Sequence, residues 1–172
     1  GTQLNFFDAP GARTLLPDPK AHQGLIVGGP FGLVRFSLTD PSAASRIFAR
    51  SDAGWAGTSA SADGRWLAAN DTMTGRVAVW PAGDTNGSRA KFFHDAPMLR
   101  EETVLSPDGR WVATHGFYDP GIVIFDINQG AVTRRLPLPA RHTTAWSPDG
   151  RWFAGVGSSF TLWNTATWEP VA

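Results

Sequence analysis

The chain has no cysteine. That excludes a disulfide framework, a thiol nucleophile and any zinc site built on thiolates. It suits the cytoplasm and an oxidising envelope alike, with the cytoplasm the favoured compartment. Charge of one sign is also missing, because fifteen Lys and Arg balance fifteen Asp and Glu. No general electrostatic pull therefore draws the chain to nucleic acid or an anionic membrane, and neither is expected as a partner. Lysine is scarce, at two residues against thirteen arginines, and Tyr118 is the only tyrosine. No apolar run reaches the roughly 18 residues of a membrane-spanning helix.

Chemistry-bearing patterns are equally sparse. His22, His94, His115 and His142 stand singly, with no His-x-x-x-His or Glu-x-x-His pair to begin a metal site. Gly57-Thr-Ser-Ala-Ser61 lacks the last glycine of a nucleophile elbow and precedes a strand pair rather than a helix. Gly28-Gly-Pro-Phe-Gly32 and Gly155-Val-Gly157 have no helix after them and read as turns, not phosphate cradles. No catalytic set, cofactor or metal is expected in this chain, and it is not expected to be an enzyme.

What is present is repetition. Ser61-Ala-Asp-Gly-Arg-Trp66 returns as Ser106-Pro-Asp-Gly-Arg-Trp111 and Ser147-Pro-Asp-Gly-Arg-Trp152. The spacing, about 40–45 residues, is that of four-stranded propeller blades. Pro107 and Pro148 suit the first central position of a β-turn, and Asp108 and Asp149 can bond the local backbone. Gly109 and Gly150 supply the positive φ of a type I turn with a G1 bulge. Apolar runs flank each copy, so each reads as a hairpin turn. A third strand follows in Gly75–Trp80, Gly121–Phe125 and Ser159–Trp163, each ending on a large ring. A more polar fourth closes each unit in Ser88–Phe93, Ala131–Leu136 and Thr167–Ala172, where arginines and Pro170 suit an outer edge.

The first third fits the same template without the hexapeptide. Gly24–Gly28, Gly32–Phe36 and Ser45–Phe48 read as second, third and fourth strands after a turn at Pro17-Asp-Pro-Lys20. Thr2–Asp8 and Ala12–Leu16 read as the last two strands of a preceding unit. The expected organisation is all-β: a half blade at 1–16, then blades at 17–50, 51–93, 94–138 and 139–172. About four and a half blades that share no terminal strand predict an open arc. The remaining blades would belong to the same parent chain. Trp66, Trp111 and Trp152 are expected to fill the space between blades. Ala68, Ala113 and Ala154 are expected to line the axis.

The Ser-Pro-Asp-Gly turn, the period, and third strands ending at Phe7-Asp8, Trp80-Pro81, Phe125-Asp126 and Trp163-Asn164 resemble the WD-repeat β-propeller family. The likeness is to its bacterial branch, in which many Ser-Pro-Asp-Gly-Arg copies are strung together. It covers nearly the whole chain, most strongly from Trp55 onward. The family's Gly-His dipeptide is absent, although His94 stands near its place in one blade.

The resemblance implies docking of a protein or peptide on the loop rim. There the longest loop, Thr114–Pro120, offers His115, Phe117, Tyr118 and Asp119 as candidate contacts. Asp71, Met73, Met98, Arg100 and Arg141 are weaker candidates on neighbouring loops. The expected function is a non-enzymatic interaction scaffold. Alternatives are a regulatory or sensor propeller attached to a catalytic domain, such as a bacterial serine/threonine kinase, and a gating propeller on a serine hydrolase.

Overall fold

Three turns of one construction organise the chain, and each is closed by the same set of hydrogen bonds. The Ser61, Ser106 and Ser147 N–H groups donate to the carbonyls of Trp66, Trp111 and Trp152 at 3.0, 2.9 and 2.9 Å. Each serine hydroxyl donates to the aspartate two residues on, at 2.7, 2.6 and 2.6 Å. The same hydroxyl accepts the tryptophan N–H at 3.0, 2.8 and 3.0 Å. The aspartate oxygen also accepts the arginine N–H, at 2.9, 3.0 and 3.1 Å. Gly64, Gly109 and Gly150 take φ of 64°, 69° and 70°, the left-handed backbone the turn requires.

The computed structural model describes residues 11–19, 23–30, 32–40, 45–48, 54–72, 74–84, 88–93, 100–116, 121–139 and 143–171. They form four consecutive antiparallel sheets. The first holds β1 (Thr14–Pro17), β2 (Gly24–Gly29), β3 (Gly32–Ser37) and β4 (Ser45–Phe48). The second holds β5 (Trp55–Ala60), β6 (Trp66–Asp71), β7 (Val77–Pro81) and β8 (Lys91–Phe93). The third holds β9 (Arg100–Leu105), β10 (Trp111–Gly116), β11 (Ile122–Asp126) and β12 (Ala131–Leu136). The fourth holds β13 (Thr143–Trp146), β14 (Trp152–Val156) and β15 (Phe160–Asn164). Strand order in every sheet follows chain order. The first strands β1, β5, β9 and β13 lie against one another in series, which makes the sheets blades radiating from a common side. The arc stays open: among the described residues no comparable contact joins the first blade to the fourth.

Two strand expectations need correction. Thr14–Pro17 does not close a preceding unit, since it pairs with Leu25–Gly28 as the first strand of the first blade. A run lying between two turns suits either neighbour by pattern. Here the Asp18 N–H donates to the Gly24 carbonyl at 2.9 Å and turns the chain back on itself. The proposed partner Thr2–Asp8 lies outside the described residues. At the other end, Thr167–Ala172 is not a full fourth strand and makes only a bridge between Trp163 and Pro170. Pro170 has no N–H to give a ladder, and Trp168 has φ 62°, which interrupts extended backbone.

The core lies between blades. In β7, Ala78 and Trp80 pack toward the first blade, while Val77 and Val79 pack toward the third. In β11, Val123 and Phe125 face the second blade, while Ile122 and Ile124 face the fourth. A period of two with both faces buried is the requirement for a central strand of a stacked sheet. The rings that close the third strands, Trp80, Phe125 and Trp163, are 0%, 3% and 2% exposed, and Phe153 of β14 is 0% exposed. Trp66 packs between the second and third blades and Trp111 between the third and fourth, as expected. Both are only half-buried, however, and Trp152 is half-buried outside these clusters. Ala68 and Ala113 are buried in the inter-blade clusters rather than lining an axis, and Ala154 is half-buried. The alternation that turns Val112 back toward the second blade turns Ala113 forward into the fourth.

Trp168 enters the third interface edge-on to Trp111 and Trp146, at 5.9 and 5.8 Å between ring centroids. Burying such a ring is worth a few kcal/mol, more than the about 1–2 kcal/mol cost of left-handed backbone.

Gly109 serves both its turn and the packing, because a Cβ there would lie 2.5 Å from Trp66 Cδ1 of the preceding blade. At Gly150 the nearest atom to such a Cβ is Pro107 Cδ at 3.8 Å. Gly150→Ala is expected to cost only the left-handed backbone term, about 1 kcal/mol. Gly109→Ala adds a clash and is expected to cost about 2–3 kcal/mol. Urea unfolding of the two variants checks the difference, and equal losses would refute the inter-blade role of Gly109.

Candidate functional site

Along β10 the side chains change from apolar to polar toward the loop rim: Val112 and Ala113, then Thr114 and His115. All four are buried. Buried polar groups need partners, and strands of two blades supply them. The Thr114 hydroxyl donates to the Glu102 carbonyl at 2.8 Å. Thr103 donates to Asn70 of the preceding blade at 3.1 Å. The Glu102 carboxylate is the hub. Its Oε2 lies 2.9 Å from His115 Nε2 and accepts the Thr144 N–H and hydroxyl, both at 2.9 Å. Its Oε1 accepts the Thr143 hydroxyl at 3.0 Å. One carboxylate thus ties the end of β10 to the start of β13 in the next blade. Burial raises the Glu102 pKa, but the hydrogen bonds from His115, Thr144 and Thr143 and the charge of His115 outweigh it. The group titrates below its usual value.

His115 is therefore not a loop contact. It lies within β10 at 4% exposure, bound to Glu102 and anchoring the base of the 117–120 loop. Phe117, Tyr118 and Asp119 lie outside the described residues, as do Met73, Met98 and Arg141. Asp71 ends β6 and accepts the Thr74 N–H at 3.1 Å, a turn cap. Arg100 opens β9. Of the weaker candidates only Asp71 and Arg100 fall within the described residues.

Glu102, Thr143 and Thr144 escaped the sequence reading. The available signal was a carboxylate in the middle of Arg100-Glu-Glu-Thr-Val-Leu105, a strand otherwise on its way into the core. Polar residues at the ends of the third strands cap the turns that follow. Asp126 accepts the N–H groups of Asn128 and Gln129 at 2.8 and 3.0 Å, and Asn164 accepts that of Ala166 at 2.9 Å. Among the described residues no three His, Asp or Glu side chains gather as a metal ion would need.

Solved structures match this fold closely in shape and weakly in sequence. The chain is similar to Kuenenia stuttgartiensis hydrazine synthase at 17% identity and TM-score 0.73, covering 100% of this chain and 51% of that one. It is also similar to the Swd1 β-propeller domain of Myceliophteria thermophila at 18% identity and TM-score 0.78, covering 98% and 56%. The chain thus spans about half the length of each of these two structures. No family model matches it, and no curated protein does. At these identities the likeness establishes the fold, a β-propeller arc, and nothing finer.

Glu102 shares its lowered titration with Asp149. The Ser147 hydroxyl, then the Arg151 N–H and guanidinium, hold the exposed Asp149 carboxyl down to about 2. Both groups bind protons less readily folded than unfolded. Their contribution is therefore complete above the ordinary values of 4.5 and 3.8; that of Glu102 is lost as pH falls below 4.5 through its lowered pKa, and that of Asp149 as pH falls toward about 2. Glu102→Ala removes the acceptor of His115, Thr143 and Thr144 and is expected to cost about 2 kcal/mol at neutral pH. Glu102→Gln is expected to flatten the acid limb of the stability curve, measured by urea unfolding from about pH 6 to 3. An acid limb parallel to that of the unsubstituted chain would exclude Glu102 from that role.

Proposed function

We propose that the chain is the interaction-bearing part of a WD-repeat-like propeller: a non-enzymatic scaffold that docks a protein or peptide on the 117–120 loop rim. The observation that carries this reading is the contrast between turn and rim. The three hexapeptide turns share one hydrogen-bond pattern. The connection at 117–121, by contrast, matches the one at 72–76 in length but not in the residues it carries. It holds Phe117, Tyr118 and Asp119, two rings and a carboxylate of the kind that anchors partners, above a base fastened by His115 and Glu102. The test is capture of partner proteins by the chain and by a Phe117→Ala, Tyr118→Ala, Asp119→Ala variant. His115 stays intact because it holds Glu102. Loss of the captured partners, with the unfolding midpoint unchanged, is the expected result. An unchanged set of partners would refute this choice of loop.

The same reading has the ring completed by further blades of the parent chain. On the fourth blade, Val156 and Phe160 face each other across β14 and β15 and are 46% and 54% exposed. Val171, beside Leu162, is 56% exposed. The equivalent faces of the second and third blades are buried against the next blade. A second reading, a propeller segment attached to a catalytic domain, draws support from the half-length coverage and from one neighbour being an enzyme by name. Because the chain has no cysteine, Val156→Cys provides a single labelling site. Maleimide is expected to label it roughly tenfold or more faster in this chain than in the longer parent protein. Equal rates would show that no further blade covers the face.

A further inference from the structure

The three blade interfaces are closed at their outer edge in two different ways. The residue after the third strand of each blade holds a fixed place. Ala82, Ile127 and Thr165 donate their N–H groups to the hexapeptide carbonyls of Arg65, Arg110 and Arg151 at 2.7, 2.9 and 3.0 Å. At the first two interfaces a cation from the preceding blade reaches across to the carbonyl of that residue. Arg35 donates to Ala82 at 3.2 Å, and Lys91 donates to Ile127 at 2.9 Å. Arg134 holds the same register place in the third blade, opposite Ile124 as Lys91 is opposite Val79. Its guanidinium instead donates to the Thr133 carbonyl of its own strand at 2.7 Å. Among the described residues, no side chain of the third blade caps the Thr165 carbonyl.

The filling differs as well. Ala82 and Ile127 are buried, whereas Thr165 is only half-buried. Trp168 holds the turn position that Gly130 holds in the third blade, each donating its N–H to the carbonyl four residues back. A cleft of about 360 Å³ is left between the blades, lined in part by Asp108, Arg110, Trp111, Arg134, Thr165 and Trp168. Arg110 is held in place there: its guanidinium stacks over the Trp111 ring at 4.2 Å, and its Nε lies 3.6 Å from the Asp126 carboxylate.

We propose that this cleft binds a peptide through an oxyanion, the carboxylate of an acidic side chain or the phosphate of a phosphoserine, between the guanidinia of Arg110 and Arg134. The guanidinium fork matches either group. The indoles of Trp111 and Trp168 supply an apolar wall for the neighbouring side chain. Asp108 lines the same cleft and favours a peptide over a bare anion. It repels a free ion yet can accept a backbone N–H. None of the named lining residues belongs to 117–120.

The test is a titration of the whole chain followed by NMR at the arginine Nε and tryptophan Nε1 signals. The probes are acetyl-Ala-Glu-Leu-Glu-Ala-amide, its phosphoserine and glutamine counterparts, and inorganic phosphate. Saturable shifts confined to Arg110, Arg134, Trp111 and Trp168 are expected with the acidic or the phosphoserine peptide. The tighter of the two identifies the oxyanion. The glutamine peptide is expected to bind roughly tenfold more weakly, and the exposed Arg134→Gln substitution to weaken the acidic peptide about 5–10-fold. Inorganic phosphate binding as tightly as the peptides would overturn the proposal. So would shifts spread over the other arginines, or an unchanged affinity in Arg134→Gln with the spectrum otherwise intact.

Discussion

A β-sheet whose middle strands are apolar on both faces has no stable place in water by itself, and this constraint governs the whole chain. Val79 and Trp80 are neighbours in β7, and both are fully buried, one against the following blade and one against the preceding blade. Each blade therefore draws its stability from its neighbours, as in other repeat proteins. The hexapeptide turn makes this arrangement precise in register. A slip of one residue would exchange the two faces of a strand. Where forward and backward faces need different shapes, that would put Trp80 where Val79 belongs. Hydrogen bonds from the serine, aspartate and glycine fix the tryptophan that starts each second strand, and everything after it inherits that register.

Apart from the turns, buried polar side chains meet where partners from two blades converge. Asn70 meets Thr103, and Glu102 gathers His115, Thr143 and Thr144. In the first blade, which lacks the hexapeptide, Asp18 is fully buried against Arg35. Arg35 in turn donates to Ala82 of the second blade. A buried ion pair adds little net stability over a well-packed apolar pair, but it admits few alternative geometries. These contacts position blades that apolar packing alone would leave free to slide.

The blade period and the turns were legible because they depend on local chemistry: Pro, Asp and Gly specify a turn wherever it occurs. Strand faces were legible only in part. Val77-Ala-Val-Trp80 is apolar throughout, so no alternation reveals which ring goes deepest, and the hexapeptide tryptophans drew attention from Trp80 and Trp163. Ala113, expected at the axis, was misplaced for the same reason. His115 was read as a loop residue because its partner, Glu102, lies 13 residues earlier in the preceding strand and acts across the sheet. Trp168 was hidden by a rule that holds elsewhere. A left-handed position asks for glycine, as at Gly130, and nothing local shows that aromatic burial will override it.

In a repeat, what the copies share is held by the fold, and what one copy alone lacks is free to serve something else. The third interface differs from the first two in three linked ways. Its bridging cation is turned back on its own strand, its filler is Thr165, and its plug is a tryptophan in a backbone conformation that suits glycine. Replacing Thr165 by a larger apolar residue and extending Arg134 to its carbonyl would close the edge as Ile127 and Lys91 do. The sequence instead keeps two arginines and two indoles around open space. Stability alone does not favour that choice, since a filled interface gains contact and loses strain. The departure is intelligible if the space is shaped for a group the chain does not itself supply.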